Sequence, residues 1–309
     1  MNFLYCFDEN YNIQAYLSIY SLLENVDNKI NIYIIHKDPR SFRKYKKKIL
    51  NHPNAGVIET HKFMKNINFP KLEEAHVSEA TYYRLFITDY LTPDIDHLIY
   101  LDADTVVINN VSKDLEDIVT RTMDSSHTIS AKTEEELTEN TKRLKMINEK
   151  YFNAGVMIID YVKWNKQNLS TKLINKMKEI ESEIVFWDQD VLNSFFDGSY
   201  QELDNIFNFK IDVDDKKQSI VKKEEAKIVH YVGKSKPWTV RGSVKENSKF
   251  YQSLYRQLFY LSFHIQNNWK RQAYDDLITY YKIGVVKNLS NSAGFVVSVI
   301  YFLLKRRAK

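Results

Sequence analysis

Leu98-Ile99-Tyr100-Leu101-Asp102-Ala103-Asp104 is the stretch on which the reading of this chain turns. An unbroken apolar run with no polar face is what a strand covered on both sides looks like. Two carboxylates follow where the run stops, at positions i and i+2. Residues two apart in an extended chain point to the same side, so both carboxylates reach one place beyond the strand tip. Unpaired, they repel and one pKa rises. A divalent cation removes that penalty, and hard carboxylate oxygens suit Mg²⁺ or Mn²⁺, which keep positions open for substrate phosphates. The plainer alternative is a solvated Asp-Ala-Asp turn.

The pattern on either side of this strand is strand and helix in alternation. Asn2 to Phe7 is an apolar strand, and Ile13, Tyr16, Leu17, Tyr20 and Leu23 recur at helical spacing. Ile30 to Ile35 is a strand, the basic stretch Ser41 to Leu50 a helix, and a short strand follows at Val57-Ile58. Thr81 to Leu91 reads as a helix closed by Thr92-Pro93. Ile129 to Ala131 and Val156 to Ile159 are further strands, followed by one long helix over residues 162–183 and another from Val191 to Phe196. Such alternation predicts an α/β domain with a mostly parallel central sheet and helices on both faces. Ligands of such sheets lie beyond the carboxyl ends of the strands. From about Phe250 the chain turns aromatic-rich and helical, so a domain over residues 1–245 and a helical extension over 246–309 are expected.

Composition narrows the function. The chain has 309 residues, 44 Lys+Arg against 40 Asp+Glu and a net charge of +4, too balanced to suggest a nucleic-acid binder. Its single cysteine, Cys6, excludes an intramolecular disulfide and a thiolate metal cluster, which fits a reducing compartment. Only 7 glycines occur, in neither of the common glycine-rich phosphate loops. A bound phosphate must therefore be held by other means. The opening strand lacks the basic start of a secretory signal, so the cytoplasm is the expected compartment. The apolar run Gly294 to Leu304 is short for a membrane span. With Lys305-Arg306-Arg307-Ala308-Lys309 behind it, the run fits an interfacial segment on the anionic inner face of the plasma membrane, or a packed C-terminal helix.

Another segment supplies partners for a diphosphate. His230 ends the apolar Ile228-Val229 and offers a nitrogen that Mn²⁺ tolerates. Gly233 lets the backbone approach a ligand, and Lys236, ahead of Pro237, offers an ammonium. Alone, His230 is better read as a satisfied core histidine. Asp8 and Asn10 follow the first strand, Asn153 precedes Ala154-Gly155, and Asp188-Gln189 precede a helix; each also fits a turn or a cap, and for Asp188 the cap is the stronger alternative.

In this order the blocks resemble the retaining glycosyltransferases of family 8, the bacterial galactosyl- and glucosyltransferases related to glycogenin. The matching blocks are Phe7 to Tyr11, Ala80 to Leu85, Leu98 to Asp104, Tyr151 to Val156, Trp187 to Asn193 and His230 to Trp238, within residues 2 to about 240. The resemblance implies a GT-A fold, a UDP-hexose donor (UDP-glucose or UDP-galactose) and Mn²⁺, with Mg²⁺ as the other candidate. It implies Asp102, Asp104 and His230 as metal ligands, and Asp8, Asn10, Arg84, Ala103, Asn153, Asp188, Gln189, Gly233 and Lys236 as donor contacts. Gln189 and Asp188 fall at the catalytic positions, and His76 matches a histidine near the acceptor, a glycan or glycolipid. The chain departs from the pattern after Ile129-Ser130-Ala131, where Lys132 stands in place of an acid and Glu134, Glu135 and Glu136 follow. Attack on the same ring face as the leaving group is the expected mechanism, because an amide such as Gln189 is a poor nucleophile. The alternatives are another sugar-nucleotide enzyme, such as a nucleotidyltransferase, and a non-catalytic carbohydrate-binding relative. The first usually brings a glycine-rich loop that Asp8 to Tyr11 lacks; the second would be expected to lose the metal ligands.

Overall fold

In a computed structural model of the chain, residues 1–70, 78–134, 138–215 and 224–305 are described. They divide into two compact units, Met1–Phe209 with Glu225–Ile228, and Lys210–Glu224 with Val229–Lys309.

The first unit opens with β1 (Asn2–Phe7), α1 (Asn12–Glu24), β2 (Ile30–His36), α2 (Pro39–Leu50) and β3 (Ala55–Lys62). α2 begins where the sequence permits: Pro39 enters its first turn, and the Asp38 carboxylate accepts the Arg40 N–H at 3.2 Å. β4 (His97–Leu101), β5 (Thr105–Val107), α3 (Ser112–Asp124), β6 (Ile129–Thr133), α4 (Thr138–Arg143) and β7 (Phe152–Asp160) follow. After them come α5 (Tyr161–Lys166), α6 (Leu169–Glu179), α7 (Trp187–Phe196) and β8 (Gln201–Glu202), and the chain then passes into the second unit through β9 (Phe209–Ile211) and β10 (Ile228–Tyr231). The main sheet has seven strands in the order β3–β2–β1–β4–β7–β6–β8. The β3–β2, β2–β1, β1–β4 and β6–β8 pairs are parallel, while β7 is antiparallel to β4 and β6. A mixed, mostly parallel sheet is thus the core, as the pattern predicts. In a smaller sheet β10 pairs with β9.

This topology positions the site. From β1 the chain winds to β2 and β3 on one side, then returns to place β4 on the other. Phe3 pairs with Ile99 and Leu4 with Tyr100, so the carboxyl ends of β1 and β4 lie side by side where the strand order reverses. Ligand crevices form at such switch points. Asp8 follows one strand end and Asp102 the other.

Several elements differ from the sequence-based expectation. Residues 81–91 do not form an α-helix; the segment is a 3₁₀ run, Glu79–Asp89, broken at Phe86 (φ −107°, ψ 18°). Buried side chains surround it on every side rather than on one stripe. Tyr82 stacks on Phe69 at 4.9 Å and Tyr83 on Phe63 at 3.8 Å, and these contacts outweigh helical propensity. The expected long helix over 162–183 is two helices, α5 and α6, followed by a 3₁₀ turn at Glu181–Glu183. Asn168 makes the break in the left-handed conformation (φ +52°), which Asn adopts more readily than most residues. Trp164 and Ser170, on opposite sides of it, turn inward and share a hydrogen bond of 3.1 Å. β3 and β7 are longer than the apolar runs at their centres suggest. β3 keeps polar residues as an edge strand, and β7 buries Asn153 and Gly155 within it.

The second unit is mostly helical: α8 (Lys249–Leu258), α9 (Lys270–Lys282) and α10 (Ser292–Leu304). Val240, Ile265, Ala273, Val286, Phe295 and Val299 form its core. α10 turns Phe295, Ser298 and Val299 inward and leaves Val297, Ile300, Tyr301 and Leu304 exposed. Among the described residues no helix is long and apolar enough to cross a membrane.

Candidate active site

The tip of β4 is built around Asp102. Its Oδ1 accepts the Tyr100 hydroxyl at 2.6 Å and Arg84 Nη2 at 3.1 Å, and its backbone N–H is donated to Gly155 O at 2.8 Å. Thr105 closes the turn by donating its hydroxyl to Asp102 O at 2.8 Å. Tyr100 and Asp102 share one face at i and i+2, so the alternation that buries the tyrosine also hands its hydroxyl to the carboxylate.

Arg84 is 3 % exposed and joins two carboxylates. Besides Asp102 it sits with Nε 2.7 Å from Asp188 Oδ2, donates Nε–H to Thr81 O and Nη1 to Ala154 O at 2.5 Å, and lies 3.9 Å over the Tyr100 ring. Burial opposes its charge, but Asp188, Tyr100 and Asp102 outweigh that and raise its pKa. Asp188, 2 % exposed, goes the other way: burial pushes its carboxyl up to about 7, with Arg84 pulling it down and Asp102 adding to the rise. Asp188 stands in the first turn of α7, where its charge suits the helix N-terminus, but it is not the cap residue. Phe186 is the cap residue of α7 and makes no side-chain cap; the loop amides of Val185 and Phe186 are bonded instead by Asp190, at 2.7 Å each. Asp188 is thereby released to face Arg84.

Gln189, also in the first turn of α7, is held at both ends of its amide. Oε1 accepts Ala154 N–H at 3.0 Å and Nε2 is donated to the Tyr151 hydroxyl at 3.3 Å. Asn153 is equally engaged: Oδ1 accepts from Gly155 N and from Asn208 Nδ2, both at 3.0 Å, and Nδ2 is donated to Glu134 Oε1 at 2.9 Å. The departure after β6 therefore has a structural outcome. Lys132 pairs with Glu202 at 3.0 Å, and Glu134 carries the acidic group toward Asn153. A register shift between Ala131 and Lys132 re-aims these side chains. At the end of β1, Asp8 caps the 3₁₀ turn Glu9–Tyr11 through Asn10 N at 2.9 Å, and Asn10 Nδ2 reaches its Oδ2 at 3.4 Å.

In the second unit, His230 is buried on β10. Gly233 has φ +80°, the left-handed region, and a Cβ there would stand 3.3 Å from Asp212 Oδ2. Lys236 donates its ammonium to Tyr231 O at 2.6 Å. His76 lies outside the described residues, as do Glu135 and Glu136. Asp102 and Asp104 offer two carboxylates at the tip of β4 in the first unit, and His230 offers an imidazole on β10 in the second. Two hard carboxylates with an imidazole fit Mn²⁺, or Mg²⁺ with water completing its shell.

The sequence reading did not single out Tyr100, Tyr151, Asn208 or Asp190 as site residues. Their signal is faint, since tyrosines in apolar runs read as core; only the alternation that points Tyr100 at Asp102 could have found one of them.

The sequence matches the description of glycosyl transferase family 8 over residues 2–242. It is 30 % identical over 256 residues to general stress protein A of Bacillus subtilis, covering 77 % of this chain and 87 % of that protein. It is 30 % identical over 184 residues to the lipopolysaccharide 1,3-galactosyltransferase of Salmonella typhimurium, covering 56 % of this chain and 53 % of that one. The crystal structure of the galactosyltransferase LgtC with donor and acceptor sugar analogs superposes with a TM-score of 0.65 at 20 % identity, covering 88 % of this chain and 100 % of that chain. At that identity the likeness concerns the fold, which is of the GT-A type.

Proposed function

This chain belongs to glycosyltransferase family 8, and we propose that it moves glucose or galactose from a UDP-sugar to a glycan or glycolipid acceptor of surface polysaccharide, with retention at the anomeric carbon. The observation that carries the reading is the buried bridge Asp102–Arg84–Asp188, at 3.1 and 2.7 Å. It ties the strand tip proposed to face the diphosphate to the helix start proposed to face the hexose.

Asp102, Asp104 and His230 are the proposed ligands of one divalent cation, Mn²⁺ or Mg²⁺. A bound dication supplies positive charge where the departing diphosphate gains negative charge, which is the largest electrostatic demand of the reaction. Arg84 and Tyr100 orient Asp102 from behind, as outer-shell donors do. Lys236 adds an ammonium for the phosphates, and Gly233 leaves backbone space beside it. Asp8 and Asn10 take the uridine and ribose, Ala103 lies between the paired aspartates against the donor, and Asn153, Asp188 and Gln189 grip the hexose. His76 is proposed at the acceptor.

The chemistry follows from how these groups are held. Asp188 is paired with Arg84 and Gln189 is bonded at both ends, so neither is a ready nucleophile. The acceptor oxygen is proposed to bond the anomeric carbon from the leaving group's own face as the bond to the β-phosphate oxygen breaks, with that oxygen taking the acceptor's proton. The catalytic domain is proposed as residues 1–245, with 246–309 as extension. The exposed stripe of α10, Val297, Ile300, Tyr301 and Leu304, is proposed to rest on an anionic membrane face from the cytoplasmic side. Slow UDP-hexose hydrolysis with and without Mn²⁺ tests the reading. Asp104→Ala should abolish the metal-dependent rate; turnover independent of metal, or none with any nucleotide sugar, refutes it.

A further inference from the structure

Asp190 has no part in the proposed donor contacts, yet its carboxylate is fully buried and collects five hydrogen bonds. Oδ2 accepts Val185 N and Phe186 N at 2.7 Å each and Arg143 Nη1 at 3.0 Å. Oδ1 accepts the Tyr151 hydroxyl at 2.7 Å and Arg143 Nη2 at 3.0 Å. These donors come from the loop ahead of α7, the end of α4 and the residue that precedes β7. Arg143 continues the clamp: it donates to Glu183 O and to Asn140 Oδ1 and lies 6.0 Å over the Phe186 ring.

The clamped loop leads into a strained residue. Trp187 has φ +48°, a conformation that sterics disfavour for any residue with a Cβ, and it stands directly ahead of Asp188 and Gln189. Such strain persists only where surrounding contacts over-determine it. The same carboxylate also reaches Gln189 indirectly, because Tyr151 donates to Asp190 and accepts from Gln189 Nε2 at 3.3 Å. We propose that Asp190, with Arg143 and Tyr151, is a positioning group that holds the Trp187 turn and so fixes where Asp188 and Gln189 meet the donor sugar. This rests on the donor-site reading above.

Two measurements separate the parts. Hydrogen exchange on the whole chain reads the turn without any substrate: Asp190→Asn should speed exchange at Val185 and Phe186 at least tenfold while β7 amides keep their rates. Kinetics of Mn²⁺-dependent UDP-hexose hydrolysis read the consequence: kcat should fall at least tenfold with KM for the nucleotide sugar within threefold. Tyr151→Phe keeps the loop bonds to Asp190, so it should lower kcat while exchange at 185 and 186 stays put. Unchanged exchange in Asp190→Asn, or full kcat despite faster exchange, overturns the proposal. If Asp190→Asn does not fold, Tyr151→Phe decides through kcat at constant KM. If the wild type turns over no UDP-sugar, the donor reading fails, and the exchange result still decides whether Asp190 holds the turn.

Discussion

Arg84 keeps its charge although it is buried because two carboxylates and a tyrosine ring surround it. Removing one partner of such a pair strands the other. Arg84→Met should cost about 3–5 kcal/mol in urea unfolding, and Arg84→Met with Asp188→Leu should recover most of that loss. His36 is a second buried group whose charge the fold resists. Burial lowers its pKa to about 4, with Asp8 and Asp38 pulling upward. Its Nδ1 accepts Asp38 N–H at 2.8 Å, which leaves the proton on Nε2 for Asn12 Oδ1 at 2.9 Å. A depressed folded pKa means that the unfolded chain binds more protons between about pH 6.5 and 4. Stability from this residue is therefore complete above that window and lost as pH falls through it, by up to about 3 kcal/mol. The difference in unfolding free energy between wild type and His36→Asn, followed against pH, should show that slope; a flat difference would refute it.

Elements with one clean periodicity were legible in the residues alone: β1, α1, β2, α2, β4 and the apolar centre of β7. Those shaped by neighbours were not. The 3₁₀ run Glu79–Asp89 has helix-compatible residues, but stacking by Phe63 and Phe69, more than ten residues away in sequence, sets its geometry. The α5–α6 break depends on one backbone conformation at Asn168. Asn168→Gly should leave thermal stability near wild type, whereas Asn168→Val should cost about 1–2 kcal/mol, since a β-branched residue resists φ +52°. Equal midpoints for the two variants would show that the break is not strained. Of the site residues, the Asp102-Ala103-Asp104 pair was readable from alternation and chain ending. The pairing of Asp188 with Arg84 was not, because a carboxylate at a helix start also suits the helix N-terminus and its partner lies more than a hundred residues away.

The first unit is arranged by the reversal of strand order between β1 and β4, which sets two loop ends from distant sequence beside each other. If those ends bind a nucleotide diphosphate with a cation, ligand and fold are linked. UDP with Mn²⁺ at about 100 times Kd should raise the unfolding midpoint by about 5–10 °C, and chelation or Asp104→Ala should remove the shift. The exposed stripe of α10 carries a separate expectation: Ile300→Ser with Leu304→Ser should lower partition onto anionic phosphatidylglycerol vesicles without changing hydrolysis of soluble UDP-sugar. Residue order alone specified an α/β chain, its strand-end carboxylate pair and, through its ordered blocks, the family. Those are local matters, governed by hydrophobic period and spacing. Which polar groups neutralise one another came from the folded chain: Arg84 reaching Asp188, Glu134 reaching Asn153, Asp190 bracing the loop. Pairings between residues remote in sequence depend on sheet register and on burial, which raises the penalty for an unmatched charge, and neither is written in any short stretch of the chain.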